Sequence, residues 1–329
     1  RMTNNLNWQG ASDAINNAGT ILLVTHIDPD GDAIGSLLGL ANALRARGKT
    51  VDAVVDGGVP ASLQFLPGAE TVLSSLTQGE WDVMVSLDSS DEPRTGEAGV
   101  YGRAHSRLVI NVDHHPTNTG FGDLHLVMPE AVSTTEIVLA WLRHMGQEIT
   151  PDIARPLLTG LVTDTRGFRT SNVRASTLGE AQRLMEAGAS LTEVTQRVLD
   201  SHPYELIELW KYALPSVTLQ GAVISGVITQ EDLRRAGADE KTNGDMVSLL
   251  NSVTQAMIAV VFREKANGDI EISLRSKPGY DVSQVAFSLG GGGHRQAAGA
   301  TIPGPLEAAR ERVMPLLQAA AREGSLVIS

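Results

Sequence analysis

Acidic and histidine side chains form four groups in this sequence, and each group follows an apolar run. The groups are His26-Ile27-Asp28-Pro29-Asp30-Gly31-Asp32, Asp88, Asp113-His114-His115 and Asp164. Residues 21–25, 83–87 and 108–112 predict buried strands, whereas residues 153–163 favour a helix whose last residues, 157–163, could instead be a strand. Because the carboxyl ends of parallel strands line one crevice, we expect the four groups to converge.

Such a convergence of carboxylates predicts bound cations. Clustered carboxylates repel each other and raise each other's pKa unless cations neutralise them. Cysteine is absent, so thiolate sites are excluded, and mixed carboxylate and imidazole ligands suit manganese, iron or zinc, with a carboxylate-rich set favouring Mn²⁺ or Mg²⁺. Two such metals are the standard device for phosphate-ester hydrolysis. A single His or Asp is more often a helix cap or a surface group, but four groups together argue against that reading.

Composition restricts the partners. The chain has 329 residues, 42% hydrophobic and 19% charged, which is typical of a globular protein of two domains. The net charge of −12 argues against binding long duplexes, so we expect a small substrate or a strand end. No apolar run approaches about 18 residues, and the N-terminus lacks a signal-peptide core. Together with the absence of cysteine, this indicates a cytoplasmic protein without a membrane anchor.

The order of elements predicts an α/β fold. Strands at 21–25, 51–55, 83–87 and 108–112 alternate with helices at 32–47, 132–145 and 153–163, which indicates a mostly parallel sheet with helices on both faces. A helical segment interrupted by Pro203 follows, and then strands at 222–229, 256–263 and 270–275 with helices at 281–289 and 306–321. We therefore predict a catalytic domain at 1–190, a helical linker at 191–214 and a smaller α/β domain at 215–329.

A second motif is the glycine run from Gly290 to Gly293, followed by His294-Arg295. Exposed backbone N–H groups beside basic side chains suit a phosphate or a nucleotide backbone. Alone, the run is weak evidence, since it could be only a flexible turn. Arg263 and Arg275 lie on neighbouring predicted strands, where either could be an ordinary solvated residue.

The motifs together resemble the DHH/DHHA1 phosphoesterase family, in its nanoRNase/pAp phosphatase branch. The segment from Val24 to Asp32, the Asp113-His114-His115 triplet and the Gly290–Gly299 segment carry this resemblance, which covers nearly the whole chain. One departure is visible: the family commonly has Asp-Thr-Gly after the fourth group, but here Asp164-Thr165 is followed by Arg166-Gly167. Arg166 could add a phosphate contact or point away.

The resemblance implies roles for individual residues. One metal, Mn²⁺ in preference to Mg²⁺, is held by His26, Asp30 and Asp88, and a second by Asp32, Asp88, His114 and Asp164, with Asp88 bridging. His115 lies beside the scissile phosphate and Asp113 orients the histidines. Substrate-binding residues are expected in the second domain, namely Arg275, Ser276, Gly291, Gly292, Gly293, His294 and Arg295, with Arg263 as a further candidate there and Arg166 as a candidate in the first domain.

The resemblance also implies an activity. A hydroxide bridging two metals would hydrolyse short single-stranded RNA or DNA oligonucleotides and linear dinucleotides such as pApA to mononucleotides, and would dephosphorylate 3′-phosphoadenosine 5′-phosphate (pAp). The alternatives are a single-strand exonuclease of the RecJ type, a cyclic-dinucleotide or pyrophosphate phosphohydrolase and, least favoured, a non-catalytic nucleotide-binding module. Substrate length, polarity, the choice of RNA or DNA, and the metal used in the cell stay open. A homodimer is compatible with the sequence.

Overall fold

The computed structural model describes residues 6–239 and 245–324 and divides into two compact units, Arg1–Ser201 and His202–Ser329. The described strands of the first unit are β1 (Thr20–Thr25), β2 (Thr50–Val54), β3 (Trp81–Leu87), β4 (Ser106–Asp113) and β5 (Leu124–Val127). Its described helices are α1 (Trp8–Asn17), α2 (Gly31–Ala46), α3 (Gly96–Ala104), α4 (Thr134–His144), α5 (Pro151–Asp164), α6 (Ala175–Glu186) and α7 (Leu191–Val198). Single 3-10 turns lie at Ala61–Leu63, Ala69–Thr71 and Pro93–Thr95.

The first unit contains a parallel sheet with the strand order β2-β1-β3-β4-β5. Successive side chains of a strand point to opposite faces. In β1, Ile21 and Leu23 enter a core shared with α2, α4 and α5, whereas Leu22 and Val24 enter a smaller core that includes Ala98 of α3. Both faces are therefore covered by helices, which confirms the predicted α/β class and explains why β1 is apolar throughout.

Close packing between α2 and α5 brings distant parts of the site together. Gly31, Gly35 and Gly39 are spaced by four residues and lie on one side of α2. A Cβ atom at Gly35 would lie 2.5 Å from the carbonyl oxygen of Pro156, and one at Gly31 would lie 2.5 Å from the Thr163 side chain. Only glycine permits this approach of the two backbones, which places the end of α5 beside the start of α2.

The second unit is a smaller α/β domain, as predicted. Its described strands are β6 (Thr218–Gln220), β7 (Val223–Ile228), β8 (Ile258–Glu264), β9 (Ile270–Ser276), β10 (Gly292–His294) and β11 (Ala297–Ile302). Its described helices are α8 (Tyr204–Ala213), α9 (Gln230–Ala236), α10 (Met246–Asn251), α11 (Ser283–Ser288) and α12 (Leu306–Glu323), with a 3-10 turn at Leu214–Ser216.

The sheet of the second unit has the order β10-β11-β9-β8-β7-β6 and is antiparallel except between β7 and β8. In β8, Val260 packs in a core with α12, and its neighbour Val261 packs in a separate core with α9 and α10. Asn267-Gly268 lies in the turn that joins β8 to β9, and Gly268 has a positive φ of 87°.

Two sequence-based expectations need correction. A strand at 157–163 is wrong, because α5 is a continuous helix through Asp164. The glycine run is not wholly a loop, because Gly292–His294 pairs with Ala297–Gly299 as an edge strand. Several elements were not predicted: α1, α3, α6, α9, α10, β5, β6, β10 and β11. The finer domain boundaries at residues 190 and 214 stay predictions.

The described helices were also compared with the requirements of a membrane crossing. None of those within residues 6–239 and 245–324 is both long enough and apolar enough to meet them.

We expect Gly35→Ala to destabilise the first unit. The added methyl group would meet the rigid backbone oxygen of Pro156, so α2 and α5 would have to separate, at a cost of roughly 1–3 kcal/mol. Gly179→Ala in α6 is the matched control, since a Cβ atom there meets nothing within 4 Å, and it should add about 0.4–1 kcal/mol of stability. Urea unfolding of both variants measures the difference, and equal effects would contradict the role of the close approach.

Candidate dinuclear metal centre

The turn after β1 supplies the first pair of side chains. Nδ1 of His26 lies 2.8 Å from the carbonyl oxygen of Ile27. Because a carbonyl only accepts, Nδ1 carries the proton and Nε2 keeps its lone pair. That Nε2 atom lies 3.6 Å from Oδ2 of Asp88. Asp30 is the N-cap of α2, with Oδ1 accepting from the amides of Asp32 and Ala33 at 3.0 and 3.1 Å, which leaves its Oδ2 without a role in the cap.

Asp88 lies where β3 ends and faces both halves of the site. Its backbone has a positive φ of 59°, a conformation that aspartate tolerates better than bulky residues. Oδ2 faces His26, whereas Oδ1 lies 3.6 Å from Nε2 of His114 and accepts a hydrogen bond of 2.9 Å from the hydroxyl of Thr134. The two oxygens of one carboxylate are thus directed to two different histidines.

Asp32, in the first turn of α2, is fully buried against the N-terminus of α4. Its Oδ2 accepts from the amide of Thr134 at 2.6 Å and its Oδ1 from the amide of Thr135 at 2.9 Å. The first amides of a helix have no partner within the helix, and they carry partial positive charge. The N-terminus of α4 therefore fixes the direction of this carboxylate.

His114, after β4, joins Asp32 to Asp164. Its Nε2 atom lies 3.2 Å from Oδ2 of Asp164 and 3.9 Å from Oδ2 of Asp32. Three sets of potential ligand atoms each lie within 4.8 Å of one another: His26, Asp30 and Asp88; Asp32, His114 and Asp164; and Asp88, His114 and His115. All six predicted metal ligands are therefore brought together in two sets, with Asp88 within reach of both.

The pKa values of the buried carboxylates indicate that the site lacks positive charge. Burial, and then the charge of Asp88, raises the pKa of Asp32 to about 7. Burial likewise raises the pKa of Asp88, and burial together with Asp32 raises the pKa of Asp164 well above its usual range. Added positive charge would oppose these shifts and favour the ionised carboxylates. Carboxylate oxygens and imidazole nitrogens at these positions fit a pair of hard divalent cations.

Asp113 has a different environment from the other acids. Its Oδ1 accepts from Nδ1 of His115 at 2.7 Å, and its Oδ2 from the amide of Asn118 at 2.6 Å. Burial opposes ionisation, but these hydrogen bonds outweigh it and hold the pKa of Asp113 below its usual range. In return, although burial acts in the opposite direction, the bond to Asp113 raises the pKa of His115. Asp113 fixes the His115 ring.

Sequence reasoning missed the residues that hold the ligands in place. Thr134 and Thr135 bind two of the carboxylates, and Asn118 binds Asp113. The segment Ser133-Thr134-Thr135-Glu136 has the spacing of a capping box, which marks a helix N-terminus. In the structure, the Ser133 hydroxyl accepts from the Glu136 amide at 3.2 Å. That signal could have placed the start of α4, although not its contact with Asp32.

In the second unit, the predicted substrate-binding residues are distributed along neighbouring strands. Exposed Gly292 and His294 belong to the edge strand β10, and Gly293 lies between them. The Arg295 side chain is 77% exposed, with Nε 3.2 Å from Asp281. Arg275 lies opposite Ala297 in the ladder between β9 and β11, and Gly291 precedes β10.

Two other candidates have structural partners. Arg263 forms an ion pair with Glu271, its cross-strand neighbour. The buried hydroxyl of Ser276 donates to the carbonyl oxygen of Tyr280 at 2.8 Å. Both contacts stabilise the sheet of the second unit.

Arg166 lies in an unusual turn after α5. Arg166, Gly167 and Phe168 have consecutive positive φ values of 50°, 72° and 64°. Their amides donate to Thr163, Val162 and Thr165. These amides are therefore engaged within the turn itself, and any phosphate contact by Arg166 would come from its half-buried side chain.

We expect Asp32→Asn to change the pH dependence of stability of the metal-free protein. The pKa of Asp32 is about 7 in the folded state, but an unfolded aspartate titrates near ~3.9. The folded state binds more protons between these values, so stability is lost as the pH rises through them. Wild type should lose up to about 1.4 kcal/mol per pH unit relative to Asp32→Asn. Urea unfolding with EDTA measures this, and parallel pH profiles would contradict it.

Comparison with known proteins places this site in a family. The model of the DHH family, N-terminal domain, matches residues 20–161, and that of the DHHA1 domain matches residues 220–323. The bifunctional oligoribonuclease and PAP phosphatase NrnA of Thermus thermophilus is 39% identical over 301 residues, covering 90% of this chain and 88% of that protein.

Solved structures share the fold. An exopolyphosphatase-related protein from Bacteroides fragilis superposes with a TM-score of 0.88 at 26% identity and covers 98% of both chains. RecJ from Thermus thermophilus in complex with Mn²⁺ has a TM-score of 0.55 at 16% identity, over 98% of this chain and 56% of that one. The resemblance drawn from the motifs is confirmed: the chain belongs to the DHH/DHHA1 phosphoesterase family, in the branch of the bifunctional oligoribonucleases and PAP phosphatases.

Proposed function

We propose that this protein hydrolyses short oligonucleotides, including nanoRNA and linear dinucleotides such as pApA, to mononucleotides, and that it dephosphorylates pAp. The observation that carries the proposal is the pair of histidine and carboxylate sets within reach of one shared carboxylate, Asp88. The similarity to NrnA, which is named a bifunctional oligoribonuclease and PAP phosphatase, supports the choice of substrates.

Two divalent cations would occupy the two sets, with Mn²⁺ favoured over Mg²⁺. His26, Asp30 and Asp88 would hold one, and the set of Asp32, Asp88, His114 and Asp164 would hold the other. When bound, such a pair supplies a water molecule of lowered pKa and neutralises charge on the phosphoryl oxygens. The α4 amides that fix Asp32, and the Thr134 hydroxyl that contacts Asp88, keep these ligands in place before any cation arrives.

His115 is assigned to the reacting phosphoryl group. Asp113 holds its Nδ1 proton, which orients the ring and favours the protonated imidazole. A histidine held in this way donates a hydrogen bond to developing negative charge or a proton to the leaving oxygen. In the second unit, we assign nucleotide binding to the open edge of β10 at Gly291–Gly293, together with His294, Arg295 and Arg275. The guanidinium groups of Arg275 and Arg295 match the oxygens of a phosphate there.

A panel of substrates tests this function. Wild type with Mn²⁺ should release mononucleotides from 5′-labelled RNA of about two to five nucleotides and phosphate from pAp. His114→Ala removes a histidine that contacts Asp32, Asp88 and Asp164, and should lower kcat/KM by at least about 100-fold. His144→Ala at the exposed end of α4 is the matched control and should leave turnover unchanged.

The alternatives give different outcomes in the same panel. Preference for long single strands would favour the RecJ type, and cleavage of pyrophosphate or cyclic dinucleotides alone would remove the oligonucleotide assignment. Tight binding of pApA by calorimetry, without product under Mn²⁺, would reduce the protein to a binding module.

Asp113→Asn tests the positioning of His115. Because an amide cannot accept from both His115 and Asn118, we expect kcat to fall by about 10–100-fold while the binding of Mn²⁺ persists. Asp113 raises the pKa of His115, so the alkaline limb of the kcat profile should move to lower pH in the variant. Asp123→Asn, which alters the acceptor of the Val109 amide, is the control. An unshifted limb in Asp113→Asn would argue against the assignment of His115.

A further inference from the structure

The loops at the carboxyl edge of the first sheet contain one arginine and no lysine. These are residues 26–30 after β1, 88–95 after β3 and 114–123 after β4, and the arginine is Arg94. These same loops contain four of the six proposed metal ligands: His26, Asp30, Asp88 and His114. Arg94 is therefore the one arginine or lysine that shares these three loops with the proposed ligands.

The backbone of Arg94 is attached to the metal-binding turn. Its carbonyl oxygen accepts from the amide of Ile27 at 2.8 Å, and Ile27 in turn accepts from Nδ1 of His26. The Arg94 amide donates to Oδ1 of Asp91 at 3.0 Å. Hydrogen bonds to both its amide and its carbonyl thus fix Arg94 in the 3-10 turn at Pro93–Thr95. Its partner Ile27 is the residue that follows the proposed ligand His26.

The half-buried side chain of Arg94 has no ion-pair partner among the residues that the structure describes. Glu92, its nearest glutamate along the chain, pairs instead with Arg103 at 3.2 Å. Within residues 6–239 and 245–324, no carboxylate forms an ion pair with the Arg94 guanidinium.

The net charge of the proposed metal centre explains how the Arg94 guanidinium would help to bind an anion. Four ligand carboxylates, Asp30, Asp32, Asp88 and Asp164, would offset the charge of two divalent cations. The centre by itself then offers little net attraction for an anion, while Asp113 adds a further negative charge. The Arg94 guanidinium would supply this attraction, with donors that match the oxygens of a phosphoryl group.

We propose that Arg94, anchored to the turn that carries His26, binds a non-bridging oxygen of the scissile phosphoryl group. The substrate class is a phosphomonoester or phosphodiester of a nucleotide, so this inference rests on the proposed function. Arg94 is thereby a catalytic residue, and the contact strengthens as negative charge develops on the phosphoryl oxygens.

Kinetics provide the first test. Arg94→Ala should lower kcat/KM for both pApA and pAp by about 100–1000-fold, because both substrates present the same phosphoryl oxygens. Arg94→Lys should recover only part of this loss, since an ammonium group lacks the planar pair of donors. Arg103→Ala is the matched control, because it removes an arginine of the neighbouring helix that is paired with Glu92, and should change kcat/KM less than threefold.

A binding measurement separates this proposal from the proposed function. Inorganic phosphate, titrated calorimetrically into Mn²⁺-loaded protein, should bind at least about tenfold more weakly to Arg94→Ala than to wild type or Arg103→Ala, with equal uptake of Mn²⁺ by all three. Added guanidinium chloride should restore part of the phosphate affinity of Arg94→Ala. Equal phosphate affinity in the three proteins, or equal kcat/KM for Arg94→Ala and Arg103→Ala, would overturn the assignment of Arg94. A wild-type protein that binds phosphate through Arg94 but leaves nucleotides intact would contradict the proposed function alone.

Discussion

The carboxylate of Asp32 is fully buried, and much of the first unit is arranged around the contacts that keep it there. Two amides at the start of α4 donate to its oxygens, so the N-terminus of α4 lies directly against Asp32. A Cβ atom at Gly160 of α5 would lie 2.6 Å from Oδ1 of Asp32. Helix α5 can therefore pack this close to Asp32 only because residue 160 is glycine. Burial of a charge is costly without partners, and these partners dictate the packing of three helices.

A second constraint acts at Asp88, where the strand must stop. The left-handed backbone conformation ends β3 and turns the side chain toward the site. Such conformations are costly and persist where surrounding contacts determine them. Here the Asp88 amide donates to the carbonyl oxygen of Val112 on the neighbouring strand, and Thr134 holds the side chain. The position suits a short acid, since its carboxylate reaches two histidines with little rotational freedom.

The sequence predicts those features of the fold and site that depend on local patterns, but not those that depend on contacts between residues far apart in the chain. The strands before His26, Asp88 and Asp113 have strong local patterns, so the convergence of their side chains could be predicted. The structural context of Asp164 was less certain, since a short apolar run does not distinguish a strand from a helix. The packing of α5 against the glycines of α2 depends on contacts between segments that are far apart in the sequence. Strand β10 depends on pairing with β11, which no local propensity of glycine indicates. Arg94 reaches the site through a backbone contact with Ile27, so no spacing rule could single it out.

The acids of the site divide into two kinds by what faces them. Asp32, Asp88 and Asp164 face one another and have raised pKa values, which is the state of carboxylates that await external positive charge. Asp113, equally enclosed, has a lowered pKa because His115 and Asn118 satisfy it internally. Environments that push the pKa values of like groups apart separate their chemical roles. The first kind is suited to binding cations, and the second to keeping a proton on its histidine; neither role could be exchanged without rebuilding the hydrogen bonds around both.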